Sequence, residues 1–292
     1  MRRSQISVLP FTLAALMGIL PAQSARADTI GFGSGANQFN MEFVEIGAPG
    51  NAADTTGDPN PAGAVPYVFN MGKFEVSEDM INKANAEGTL GITTDTPGAN
   101  KPATSVSWNQ AARFVNWLNT SQGFSPAYKF ANQPGDGGYN ANADIELWTG
   151  SDAGFDSSNP FRNTGARYFL PSVDEWYKAA YYDPVSDSYF DFPTGSDTAP
   201  TPVANGTAAG TAVYGQPIEQ GPADIMDAGG LSPFGIMGQG GNVFEWEETE
   251  FDLTNDTVSS ARGIRGGNWT SSPSSCRRRP GSAATRRPRT AA

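Results

Sequence analysis

Glycine and proline punctuate the whole chain, 34 and 22 times in 292 residues. That spread keeps regular elements short and loops long. The chain also lacks the even strand–helix alternation of a doubly wound βαβ protein. The expectation is therefore an α+β fold in one domain: loop-rich, with short strands and two or three helices. The 32 aromatic residues (6 Trp, 9 Tyr, 17 Phe) are enough for a sizeable core.

Local signals place the elements. Met41 to Ile46 alternates like a half-buried strand, and Tyr67 to Val76 is a second strand candidate. Ser77 caps a helix running to about Glu87. Ser107-Trp108-Asn109-Gln110 is a capping box that opens a helix from Trp108 to Leu118. On that helix Trp108, Ala111, Ala112, Val115 and Leu118 share one face. Ser172-Val173-Asp174-Glu175 is a second capping box, and its helix stops before Pro184. Residues 122–162 are rich in Gly, Asn and Asp and read as a surface insertion. Residues 183–231 read as irregular. Gly241 to Trp246 and Gly263 to Trp269 read as short strands.

The first 27 residues read as a secretory signal peptide. Arg2 and Arg3 precede an apolar run from Ile6 to Leu20, and Ala25-Arg26-Ala27 has the form of a cleavage site. The run is shorter than the roughly 20 residues a membrane span needs, and no later segment is long and apolar enough to span. The expected location is secreted, periplasmic or extracellular. Residues 28–276 carry 10 basic and 30 acidic side chains, a net charge of −20. Such a surface repels nucleic acid and anionic lipid and favours cations.

The chain has no His and one Cys. This excludes His-dependent nucleophilic triads, His zinc and iron sites, CxxC redox pairs and internal disulfides.

Five blocks in order carry a family resemblance. They are Met71-Gly-Lys-Phe-Glu-Val-Ser77, Pro102-Ala-Thr-Ser-Val-Ser-Trp108 with its helix, and Tyr168-Phe-Leu-Pro-Ser-Val-Asp-Glu-Trp176. Then come Pro233-Phe-Gly-Ile-Met-Gly-Gln-Gly-Gly-Asn-Val-Phe-Glu-Trp246 and Arg262-Gly-Ile-Arg-Gly-Gly-Asn-Trp269. Together they resemble the formylglycine-generating enzyme (sulfatase-modifying factor) family, over roughly residues 38–276. The resemblance implies a C-type-lectin-like fold and a domain spanning 28–276. Within the blocks, Gly240-Gly241 and Gly266-Gly267 suit positive φ or close backbone approach. Arg262 and Arg265 suit loop-holding ion pairs.

The resemblance also implies a chemistry to test. Catalytic members hold Cu(I) between two Cys thiolates, with a nearby Ser, and use oxygen to convert a sulfatase Cys to formylglycine. Here Asn268 stands at the Ser position, Ser271 at the first Cys and Cys276 at the second. One thiolate does not make a bis-thiolate Cu(I) site, so copper is not expected. Cys276 remains the candidate catalytic residue, with Asn268 and Trp269 as candidate substrate contacts. The resemblance further implies calcium at Gly241, Val243 and Glu245, although Gly238 stands where a side-chain ligand is usual. The competing reading of Glu245 is an ion pair with an Arg of the RGGNW segment.

Family members close with a Gly-Phe-Arg strand. Cys276 to Ala292 instead contains only Cys, Arg, Pro, Gly, Ser, Ala and Thr. Residues 277–292 are therefore expected to be a disordered Arg-rich tail, or the product of a frame change near Ser272. The alternative is a basic tail that binds the chain's own acidic surface or an anionic polymer. A missing closing strand would leave a sheet edge unpaired. The functional expectation is a secreted binding domain without oxidase activity, its ligand a protein or glycan. The alternatives are an oxidase acting on a sulfatase and a degenerate gene product.

Overall fold

Alternating burial along residues 39–46 builds the central strand. In this computed structural model, which describes residues 27–95 and 98–278, strand β2 (Phe39–Ile46) lies between β1 (Ala27–Phe32) and β3 (Phe69–Gly72). Both pairings are antiparallel, with Ala27 opposite Val44 and Phe43 opposite Gly72. Phe39 and Met41 bury against the helix that follows, while Val44 and Ile46 bury with Phe69 in a second cluster. The strand expected over 67–76 is shorter than its pattern. It ends at Gly72, and the Lys73 carbonyl then accepts from the Met237 N–H at 2.9 Å. Of the segment expected to be a signal peptide, residues 1–27, all but Ala27 lie outside the described residues, as do Arg279 to Ala292 of the expected tail.

The three α-helices among the described residues start where their caps predict. Ser77 Oγ accepts from the Met80 N–H at the start of α1 (Glu78–Gly88). At α2 (Trp108–Ser121), Ser107 Oγ accepts from the Gln110 N–H, and Gln110 Oε1 accepts from the Ser107 N–H. At α3 (Val173–Tyr181), Ser172 and Glu175 make the same reciprocal pair. Such caps satisfy amide donors that the first helical turn leaves free.

Residues 122–162 lie mostly at the surface, as expected, but are anchored to the core. Pairing of β4 (Lys129–Phe130) with β5 (Ile145–Glu146) shapes this stretch, and Tyr128 and Phe161 from it are fully buried. It covers the polar side of α2. Arg113, on that side, donates to the carbonyls of Asn132, Asn140 and Ala143. Its guanidinium stacks on Phe130 and Tyr139. Asn116 exchanges two hydrogen bonds with the Tyr128 backbone. The polar face of α2 is thus buried against loop carbonyls, which removes the usual cost of burying it.

Beyond α3 come a hairpin of β6 (Tyr182–Asp183) with β7 (Ser188–Tyr189) and a parallel pair of β8 (Thr201–Pro202) with β9 (Thr211–Ala212). A last antiparallel pair joins β10 (Glu245–Glu250) to β11 (Arg262–Arg265). The expected strand over 241–246 is displaced. Gly241 has φ 139° and Asn242 φ 59°, so the chain turns there and extends only from Glu245. The expected strand over 263–269 likewise ends at Arg265, where Gly266 and Gly267 turn at φ 84° and 83°. Among the described residues no helix is long and apolar enough to cross a membrane.

Candidate functional site

Strand β10 reads Glu-Trp-Glu-Glu-Thr-Glu, and Glu247, Glu248 and Glu250 are all fully buried. They are held by arginines distant in sequence. Arg265 pairs with Glu247, and Arg162 bridges Glu248 at 2.8 Å and Glu175 at 3.1 Å. Glu248 also accepts from Tyr128 Oη at 2.8 Å and from Asn159 Nδ2 at 2.6 Å. Arg262 stacks between Phe161 and Trp108 and donates to the Glu248 carbonyl at 2.7 Å. Arg262 and Arg265 therefore hold the loops to β10, as their sequence context suggested. Glu175 stays below the usual carboxylate range. Burial opposes this, and the adjacent Arg162 outweighs it.

Glu245 departs from the ion-pair reading. Arg265 takes Glu247 instead, and Glu245 accepts from the Trp176 indole N–H. Burial pushes its carboxyl up to about 7. Glu75 lies beside it and is pushed well up, first by burial and then by the Glu245 charge. Glu75 accepts from Asn242 Nδ2 at 2.5 Å and from the Val243 N–H at 3.2 Å. Among the described residues no Lys or Arg pairs with Glu75 or Glu245.

These donors bear on calcium. Calcium takes six to eight oxygen ligands. Here N–H groups of Trp176, Asn242 and Val243 occupy oxygens of Glu245 and Glu75. A side chain at Gly238 would meet Glu75, its Cβ only 3.0 Å from the carboxyl carbon. Of Gly241, Val243 and Glu245, the last is turned toward Trp176, so the donor set does not fit the ion.

Both glutamates line a cavity of about 540 Å³ beneath the sheet. Its walls come from Phe43, Gly72, Val106, Tyr168, Phe169 and Trp246, among others. Sequence reading missed Glu75 and this cavity. The available signal was a carboxylate within the otherwise strand-like run Phe69 to Val76.

The copper positions lie elsewhere. Cys276 is fully buried beside Phe192, Ala212 and Tyr214. Its thiol donates to the Gly240 carbonyl at 3.0 Å, and burial pushes it up to about 12. Ser271 Oγ donates to Asn268 Oδ1 at 2.8 Å and accepts from the Asn268 N–H at 3.0 Å. The turn is tight. A Cβ at Gly267 would come within 3.0 Å of the Ser275 Cβ. Trp269 is half-buried, with its indole N–H on the Ile218 carbonyl at 3.3 Å. So Ser271 and Asn268 form one closed turn, and Cys276 is a buried thiol rather than an open thiolate. Cu(I) selects thiolates, and this donor set does not fit it.

The tail expected to begin at Arg277 starts inside the folded body. Arg277 pairs with Asp191 at 2.5 Å. Arg278 pairs with Asp54 and, at 3.2 Å, with Asp191.

The chain is thus a capped α+β body with little regular structure and a buried glutamate–arginine network. The chain belongs to the sulfatase-modifying factor enzyme 1-like domain family, whose model matches residues 42–290. Solved structures agree on the fold. The Treponema denticola variable protein 1 is 19% identical, with a TM-score of 0.53, over 86% of this chain and 90% of that one. CarF is also 19% identical, with a TM-score of 0.52, over 79% of this chain and 88% of that one. No curated protein matches the chain significantly.

Proposed function

We propose that this chain is a secreted family member that acts by binding a protein or glycan, without oxidase activity. The observation that carries the reading is the state of Cys276. Its thiol is enclosed, hydrogen-bonded to a carbonyl and pushed up to about 12 by burial. The residue at the partner position, Ser271, supplies a hydroxyl already committed to Asn268. Soft-metal chemistry at this place would need two accessible thiolates. Long loops on a rigid body are a common place for binding sites, which supports the binding reading.

The test is a peptide-oxidation assay. The purified chain is supplied with Cu(I), oxygen and a Cys-x-Pro-x-Arg peptide, beside a Cys276→Ser control. No turnover is expected. Turnover that disappears in the control would overturn the reading in favour of a formylglycine-generating oxidase acting on sulfatases.

A further inference from the structure

The sheet has an open edge beside an acidic, mostly apolar cavity. Among the described residues strand β3 pairs with β2 alone. The Lys73 N–H donates to the Glu42 carbonyl at 2.8 Å, which fixes the parity of the ladder. In an antiparallel pair alternate residues face the partner, so Phe69 and Met71 face β2. Asn70 and Gly72 direct their N–H and C=O groups to the free edge. No backbone bond joins either to another element among the described residues. Just before β3, Tyr67 and Val68 are 45% and 49% exposed. An uncovered edge of this kind is a template for another strand.

The cavity beneath this edge gives the occupant its chemistry. A volume of about 540 Å³ falls in the range of about 300–1,000 Å³ usual for ligand clefts. Gly72 has no side chain to fill the space opposite Phe43. The charged residues lining the cavity are Asp28, Glu75, Glu175, Glu245 and Arg167, and Glu175 is already paired with Arg162, so the acidic character rests on Glu75 and Glu245. Glu75 and Glu245 have N–H donors but no cation. A ligand bringing an apolar group and one positive charge would satisfy both walls and carboxylates.

We infer that the β3 edge binds an extended segment of a partner protein as an added strand, with a large apolar side chain and an Arg or Lys two positions along, on the same face of the strand, directed into the cavity. This rests on the binding reading above and narrows its ligand to a polypeptide. The main-chain bonds to Asn70 and Gly72 supply affinity, and the cavity supplies selectivity for an apolar–basic pair.

The test uses the full secreted chain and a labelled, end-blocked peptide, Ser-Phe-Ser-Arg-Val-Ser, whose Phe and Arg share one strand face, followed by fluorescence anisotropy. Saturable binding is expected, weakened at least tenfold when the peptide Arg is replaced by Glu. Asn70→Pro removes an outward N–H at an exposed position, and it should weaken binding at least tenfold. Hydrogen exchange on the unmutated chain should show the Asn70 and Gly72 amides slowed by the peptide. That measurement decides the matter even if Asn70→Pro fails to fold. No saturation up to about 1 mM peptide would overturn the proposal. So would binding without slowed exchange at β3. Amides already slow in the free protein would also overturn it, because the chain or a second copy then covers its own edge. Each of these leaves the non-oxidase reading standing, whereas turnover in the oxidation assay sinks that reading and leaves the β3 result intact.

Discussion

Cys276 donates its thiol proton to the Gly240 carbonyl at 3.0 Å, tying the segment after β11 to the glycine-rich turn before β10. A thiol held near 12 is almost wholly protonated at neutral pH. In the native chain Cys276 should therefore resist thiol reagents such as dithionitrobenzoate. In urea it should react at the rate of a free thiol. Fast labelling of the native chain would show an open thiolate and revive copper chemistry. Cys276→Ala should weaken the fold modestly, by about 1–2 kcal/mol, through one lost hydrogen bond and a small cavity.

Glu248 is shared among three donors of the buried network. It accepts from Tyr128, Asn159 and Arg162. Removing one partner of a buried ion pair leaves the other charge uncompensated, at a cost of about 3–5 kcal/mol. Glu248→Ala should lower the unfolding free energy from urea melts by that amount. Glu248→Gln should cost less, because an amide oxygen still accepts from Tyr128. Equal losses in the two variants would show that packing, not charge, sets the value.

The parts of this fold that were legible in sequence are those fixed within one helical turn. Ser107 with Gln110 and Ser172 with Glu175 are four-residue signals, and both helices start there. Alternation in 41–46 likewise needs only neighbours. The buried polar groups were not legible, because their partners are distant. The Glu-Trp-Glu-Glu run reads as a solvent-facing strand until Arg162, Arg262 and Arg265 are brought to it. The anchoring of residues 122–162 was not legible because their carbonyls are matched to Arg113, a pairing no local pattern records. The candidate site was legible in its segments and not in its contacts. Glu245 was singled out, yet its neighbours Trp176 and Glu75 lie 69 and 170 positions away.

Arg278 joins the end of the described chain to its beginning. It pairs with Asp54 and donates to Thr56 Oγ1 at 2.9 Å, and its carbonyl accepts from the Asp58 N–H at 3.0 Å. Arg278→Ala should cost about 2–4 kcal/mol in thermal or urea melts. The pH dependence follows from Asp54. Burial raises its carboxyl, but hydrogen bonds from Thr56, Tyr177 and Arg278 outweigh that and hold it at about 2, below the usual 3.8. A group lowered on folding contributes stability above its unfolded value and loses it as pH falls through its folded value. The penalty of Arg278→Ala should therefore persist at pH 4 and shrink toward pH 2. A penalty unchanged at pH 2 would mean that Arg278 acts through its backbone and stem alone.

Glu245 makes the opposite pH prediction. Burial lifts its carboxyl from the usual 4.5 to about 7, against the Trp176 indole N–H, which favours the carboxylate. Glu75 beside it is raised in the same direction. The folded chain then holds protons that the unfolded chain releases, so stability is full below about pH 4.5 and falls as pH rises through 7. Glu245→Gln should remove this loss. It should gain up to about 3 kcal/mol on the parent at pH 8, the equivalent of the shift, and gain nothing at pH 4.5. A variant weaker than the parent at pH 8 would show an ionised, compensated Glu245. Melts with calcium and with EDTA should overlay in both proteins. A calcium-dependent rise at pH 8 that Glu245→Gln abolishes would assign the ion to Gly241, Val243 and Glu245 and place the missing cation there.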